Sequence, residues 1–321
     1  MRKLLVLLVA LVTVAAFAAV NFSGRLDVTP KLTYDTSSSN MSFSVGVGGL
    51  LNIEASNEDQ TTGFYVSVSP TVTPAPAFSW SYWGYVWQKL YTSDSFTVTL
   101  QAGNLERGWY QVSGANFSWI ITPPNFTEYY DDAAVGLKFD ISSGDLSDSL
   151  SVFVKPDASK IINVDVFNSL SFGFLSAGIL VQDLLNATSG LPAFSLSASV
   201  DLAKALAIQG ATLKGFGYFT IDPSATSTIL QGYLVGADVG IEKLSASVAF
   251  DNNNTLGIAV KTTALAPVTV GADIVIPNIM SITNFQLAGY ASWPTGLISH
   301  RLSLKWDGSQ ATVAWRMRAT F

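Results

Sequence analysis

After its first twenty residues, the chain alternates apolar and polar positions with a period of two. Leu26, Val28, Pro30, Leu32 and Tyr34 share one face, and Arg25, Asp27, Thr29, Lys31 and Thr33 share the other. Phe43, Val45, Val47, Leu51 and Ile53 are set in the same way against Ser42, Ser44, Gly46, Asn52 and Glu54. The pattern returns at 96–101, 135–141, 194–202 and 244–250. Successive side chains of a strand point to opposite faces, so this period predicts strands. A helical period of 3.6 is nearly absent. The least readable stretch, Ala203 to Gly217, has room for a short helix. Turn-forming clusters such as Ser37–Asn40, Asn57–Gln60, Asp251–Asn254 and Asp307–Gly308 punctuate the strands. Their spacing of roughly 15 to 20 residues predicts about 16 strands, within a range of 14 to 18, in one domain over residues 19–321.

Composition changes what those strands must face. The chain is 49% hydrophobic and only 12% charged, about half the charged fraction usual for a soluble protein. Yet no later stretch supplies the roughly 20 consecutive apolar residues of a spanning helix. Dispersed apolar residues opposite a Ser/Thr/Gly-rich face suit a wall with lipid on one side and a lumen on the other. A soluble sandwich would carry more Lys and Glu on its outer face. A bilayer also forbids open sheet edges, so spanning strands must close. The expected fold is an all-β, transmembrane, antiparallel barrel.

Residues 1–18 read as an export signal: Arg2 and Lys3, an apolar run from Leu4 to Val14, and small residues at Ala16 and Ala18. Removing it takes the net charge from −6 to −8, because two basic residues leave with it. That balance argues against nucleic acid as a partner. With no cysteine there is no disulfide framework or thiolate metal site. No metal-ligand spacing, phosphate loop or nucleotide fingerprint occurs, so neither cofactor nor metal is expected. His300 is the single histidine, and its parity puts it toward lipid or the interface. Nothing beside it would orient a catalytic base, and no enzyme is expected.

The closing segment carries a resemblance. Val313, Trp315, Met317, Ala319 and Phe321 alternate up to a terminal aromatic. This resembles the last strand of bacterial outer-membrane barrels, in which such a terminus is the signal for the barrel-assembly machinery. Together with the export signal, it implies residence in an outer membrane. A second resemblance is to trimeric porins. Residues 104–132 lack clean alternation and follow what counts as the fifth strand, as does the porin constriction loop. The resemblance implies a homo-trimer and a segment folded into the lumen. An ordinary extracellular loop is the other reading.

With Phe321 toward lipid, parity turns Arg316 and Arg318 into the lumen. A charge facing lipid at the midplane costs about 2–4 kcal/mol, so Arg301 and Lys305 should point inward too. Closure would bring Arg25 and Lys31 beside them. The candidate loop carries Glu106, Glu128, Asp131 and Asp132 against Arg107. Folded inward, it would oppose acid to a basic wall and sort solutes by charge; the other reading is that the arginines balance lumen acids structurally. Trp83, Tyr85, Trp87 and Tyr91 recur at period two. Their favoured reading is an interfacial girdle or subunit contact, the other being an aromatic slide lining the lumen. The expected function is passive diffusion of small hydrophilic solutes and ions, the alternative a structural outer-membrane or outer-sheath barrel without an open pore.

Overall fold

The computed structural model describes residues 19–72, 78–105, 107–130, 133–156, 162–186, 192–225, 228–282 and 284–321. The expected export signal, Glu106, Asp131 and Asp132 lie outside the described residues. In chain order the strands are β1 (Ala19–Asp35), β2 (Asn40–Ser56), β3 (Thr62–Val72), β4 (Phe78–Thr92), β5 (Phe96–Asn104), β6 (Arg107–Val112) and β7 (Phe126–Tyr130). They continue with β8 (Ala133–Ser143), β9 (Leu146–Pro156), β10 (Ile162–Phe172), β11 (Leu175–Val181), β12 (Phe194–Asp201) and β13 (Ala211–Ile221). The remainder are β14 (Leu230–Ile241), β15 (Leu244–Asp251), β16 (Leu256–Thr262), β17 (Thr269–Ile276), β18 (Gln286–Thr295), β19 (Ile298–Trp306) and β20 (Gln310–Thr320).

Eighteen of these strands form one sheet, and β6 pairs only with β7. Each barrel strand pairs antiparallel with the next, and β20 pairs back onto β1 from Arg25↔Thr320 to Asp35↔Gln310. The sheet therefore closes and leaves no edge. Past the last paired position, Phe321 N–H donates to the Gly24 carbonyl (3.1 Å) and Gly24 N–H to the Phe321 carbonyl (2.8 Å). The Phe321 ring lies over Gly24, where a Cβ would meet it at 2.8 Å. Eighteen is the upper end of the expected strand range. The hard-to-read segment holds a short helix, Leu202–Ala205, capped by Asp201, and then the start of β13.

Register fixes the two faces. Asp27 stands opposite Arg318, Arg301 opposite Arg316, and Asp238 opposite Ser247. These residues belong to one continuous face around the ring. The other face exposes Phe43, Val86, Val239, Leu304 and Trp315. In water a belt of this kind would be an aggregation surface; against lipid it needs no covering. His300 lies on this outer face between Trp293 and Trp315, at ring distances of 5.5 and 5.8 Å.

Candidate functional site: the barrel interior and its inward segment

The connection between β5 and β8 does not stay at the rim. It begins at Leu105, fully buried among Ala134, Phe153, Phe167 and Leu180, runs through the β6–β7 hairpin, and carries residues 113–125 between its strands. Its tip reaches the inner face of β14 to β19, on the far side of the ring. There Ala115 N–H donates to Asp238 Oδ1 (2.9 Å), and Asn116 N–H to Ser247 Oγ (3.0 Å). The Asn116 side chain donates to the Ala246 carbonyl (2.9 Å) and accepts from Ser245 Oγ (2.9 Å). Ser118 donates to Asp273 through both its backbone N–H (2.9 Å) and its hydroxyl. Arg301 Nη1 donates to the Ser118 carbonyl at 3.0 Å. Asp273 and Asp238 are 3% and 5% exposed, so these charge-assisted bonds are shielded from competing water.

Apolar contacts back the polar ones. Phe117 packs with Phe216, Tyr218, Leu234, Ala249 and Ala259, and Ile121 with Val275 and Ala288. Gly257 leaves the space: a Cβ there would stand 2.5 Å from Pro124 and 3.0 Å from Phe117. Under the segment the inner wall thus combines buried carboxylate and hydroxyl partners with an apolar patch.

The basic residues singled out from sequence share the inner face of β19, β20 and β1. Arg318 makes a bidentate pair with Asp27, at 2.6 and 2.9 Å, and Arg25 lies 3.6 Å from the same carboxylate. Arg301 sits over the Tyr290 ring at 5.0 Å. Lys305 lies 3.6 Å from Asp307. Arg316 stands directly across from Arg301, and the Nε atoms of both are buried without a hydrogen-bond acceptor. Lys31 pairs in register with Ala314, one step along the same seam. In the hairpin, Arg107 pairs in register with Tyr130 and Glu128 with Tyr110.

Sequence reasoning passed over Asp27, Asp238 and Asp273. A signal was present, since a carboxylate inside an alternating strand at inward parity is costly without partners. The aromatic run of β4 departs from its favoured reading. Trp83 and Tyr85 stand in register with Ser67 and Tyr65, and the Tyr65 ring lies tilted against both at 4.8 and 5.8 Å. Tyr85, Trp87 and Lys89 line an interior cavity with Glu54, Gln101 and Lys138. A register shift between Lys89 and Tyr91 then breaks the parity, and Tyr91 is exposed.

No protein-family model matches the chain, and no curated protein sequence matches it. Solved structures do. An engineered variant of the Rhodopseudomonas blastica porin superposes with a TM-score of 0.58 at 11% identity, covering 94% of this chain and 100% of that one. A triple mutant of the same porin gives the same figures. The chain has the porin fold. At this identity the likeness concerns architecture alone: a closed antiparallel barrel over nearly the whole length of both proteins. In this porin fold the interior is partly filled by a segment pinned through Asp238, Ser247 and Asp273.

Proposed function

We propose that the chain forms a water-filled pore in a bacterial outer membrane and lets small hydrophilic solutes and ions diffuse through it. The observation that carries this reading is the inward segment, rooted beside β8 to β11 and bonded at its tip to β14, β15 and β17 across a closed eighteen-strand barrel. Barrels of 16 to 18 strands are wide enough to hold an aqueous channel. A segment that crosses the interior and is fixed at both root and tip narrows such a bore. Residues 104–132 are the constriction. Arg25, Lys31, Arg301, Lys305, Arg316 and Arg318 supply a positive potential on the wall, with Glu106, Glu128, Asp131 and Asp132, beside Arg107, as its acidic counterpart. Residues 1–18 direct export, Phe321 is read by the assembly machinery, and three copies associate within the lipid.

Single-channel recording of the refolded protein in planar bilayers tests the reading. Stepwise conductance is expected, in triplets if the pores are trimeric. A folded barrel that never conducts would instead be a structural sheath component. The basic wall has its own test. An Arg316→Gln/Arg318→Gln double variant should shift the reversal potential in a salt gradient toward cation preference; an unchanged potential would remove these arginines from selectivity.

A further inference from the structure

The connection between β11 and β12 leaves the wall beside the root of the inward segment. The last pair of β10 and β11 is Val166↔Val181, one step past Phe167↔Leu180. Leu180 and Phe167 belong to the pocket that buries Leu105. Instead of running on along β10, the chain takes a positive φ of 53° at Asp183 and enters a single turn of 3-10 helix, Leu184–Asn186. There it meets a sealed polar patch on the wall. Asp165, directly across from Phe153, and Asn163, directly across from Lys155, are both fully buried. Asp165 Oδ1 accepts from the Asp183 N–H (2.7 Å), and Asn163 Oδ1 from the Leu185 N–H (3.0 Å). The Asp183 carboxylate accepts from the Asn163 side-chain amide (2.9 Å). Lys155 Nζ stands between the two carboxylates, 3.1 Å from Asp165 and 3.0 Å from Asp183. The two halves of this clamp differ in exposure: the Asp165 side chain is 0% exposed and that of Asp183 50%.

We propose that residues 182–186 are a latch on the root of the inward segment. Phe153, Phe167 and Leu180 point inward from the wall and are nevertheless buried, so their lumen sides are covered. Seated, the latch closes the rim side of this pocket and keeps Leu105 in it. A buried carboxylate is costly without its counter-charge, so Lys155 stays with Asp165. Half-exposed Asp183 can exchange its contacts for water at little cost. The clamp therefore has a fixed half on the wall and a releasable half on the connection, and connections with solvent-reachable bonds are the segments that open first. Released, the latch lets Leu105 leave while the tip stays bonded to Asp238 and Asp273. The segment then swings about its tip and gives the bore a second width. That last consequence rests on the pore reading, whereas the latch itself rests on the fold.

The chain has no cysteine, so one introduced thiol reports on each position. The experiment is the rate at which a membrane-impermeant methanethiosulfonate modifies the folded barrel. Leu105→Cys should react slowly, because that position is fully buried. Adding Asp183→Gly removes the carboxylate and keeps the positive φ, which glycine adopts freely. It should speed modification roughly tenfold, the loss of about one charge-assisted hydrogen bond. Asp183→Asn retains an acceptor oxygen and should restore most of the protection. Ile121→Cys, buried at the tip, should keep one slow rate with and without Asp183→Gly. An unchanged rate at Leu105→Cys, or an equal rise at Ile121→Cys, would overturn the latch. In planar bilayers Asp183→Gly should add a second long-lived conductance level to that of the wild type. Channels with a single unchanged level would overturn the swing of the segment. Absence of any conductance in the wild type would instead overturn the pore reading, with the labelling rates still deciding the latch.

Discussion

Asp273 accepts two hydrogen bonds from Ser118 while remaining 3% exposed. A hydrogen bond to a charged group is worth about 1.5–3 kcal/mol, and the partner left behind also loses its bond. Asp273→Ala should therefore loosen the segment's tip, giving a larger and noisier open current in single-channel recordings. Asp273→Asn keeps an acceptor and should do less. An alanine variant indistinguishable from wild type would show that the tip is held elsewhere. Asp222, in the turn after β13, behaves differently because it is exposed. The Ser224 hydroxyl (2.7 Å) and backbone N–H (2.9 Å) hold its carboxyl below the ordinary aspartate value. A lowered folded pKa contributes stability above the unfolded value and loses it as pH falls through the lowered one. An NMR titration of Asp222 should give a midpoint below the ordinary aspartate value, with Ser224→Ala moving it upward; a midpoint unmoved by that change would contradict the assignment.

At the scale of elements, β13 explains why one stretch resisted reading. Its inward positions are Lys214, Phe216, Tyr218 and Thr220, while Gly215 and Gly217 face outward. A strand in a polar-lumen barrel should show the reverse. The cause is non-local: Phe117 comes across the ring and packs on Phe216 and Tyr218. Leu234 in β14 and Val275 in β17 are inward and apolar for the same reason, beneath Phe117 and Ile121. This contact can be trapped chemically, since the chain has no cysteine of its own. A Cβ at Gly114 would stand 2.5 Å from the Ser247 Cβ. Relaxing by roughly 1 Å brings that pair to disulfide distance. Gly114→Cys/Ser247→Cys should crosslink on mild oxidation in the folded barrel, seen as a mobility change on a non-reducing gel. A folded double variant that stays reduced would place the segment off the wall.

For the whole molecule, closure depends on the seam of β1 and β20. Phe321 adds two backbone hydrogen bonds to Gly24 and lays its ring over that glycine. Its deletion should lower the yield of heat-resistant barrel even in detergent refolding, where no assembly machinery is present. Normal refolding combined with failed assembly in cells would restrict Phe321 to a signal. The Arg318–Asp27 pair spans the same seam, joining residues 291 positions apart. Sequence parity located the arginine but not its partner.

The alternation, the low charge and the terminal aromatic determined an antiparallel barrel with lipid on one side, and nearly all of its register parity, because a period of two is a local property of strands. The sequence also marked 104–132 as the break in that pattern. Only the tertiary structure decided where this break lies, which carboxylates hold it, and that Trp87 faces the interior rather than the membrane. Those are contacts between residues distant along the chain, and a period of two distinguishes the faces of a strand without saying what crosses the lumen to meet them.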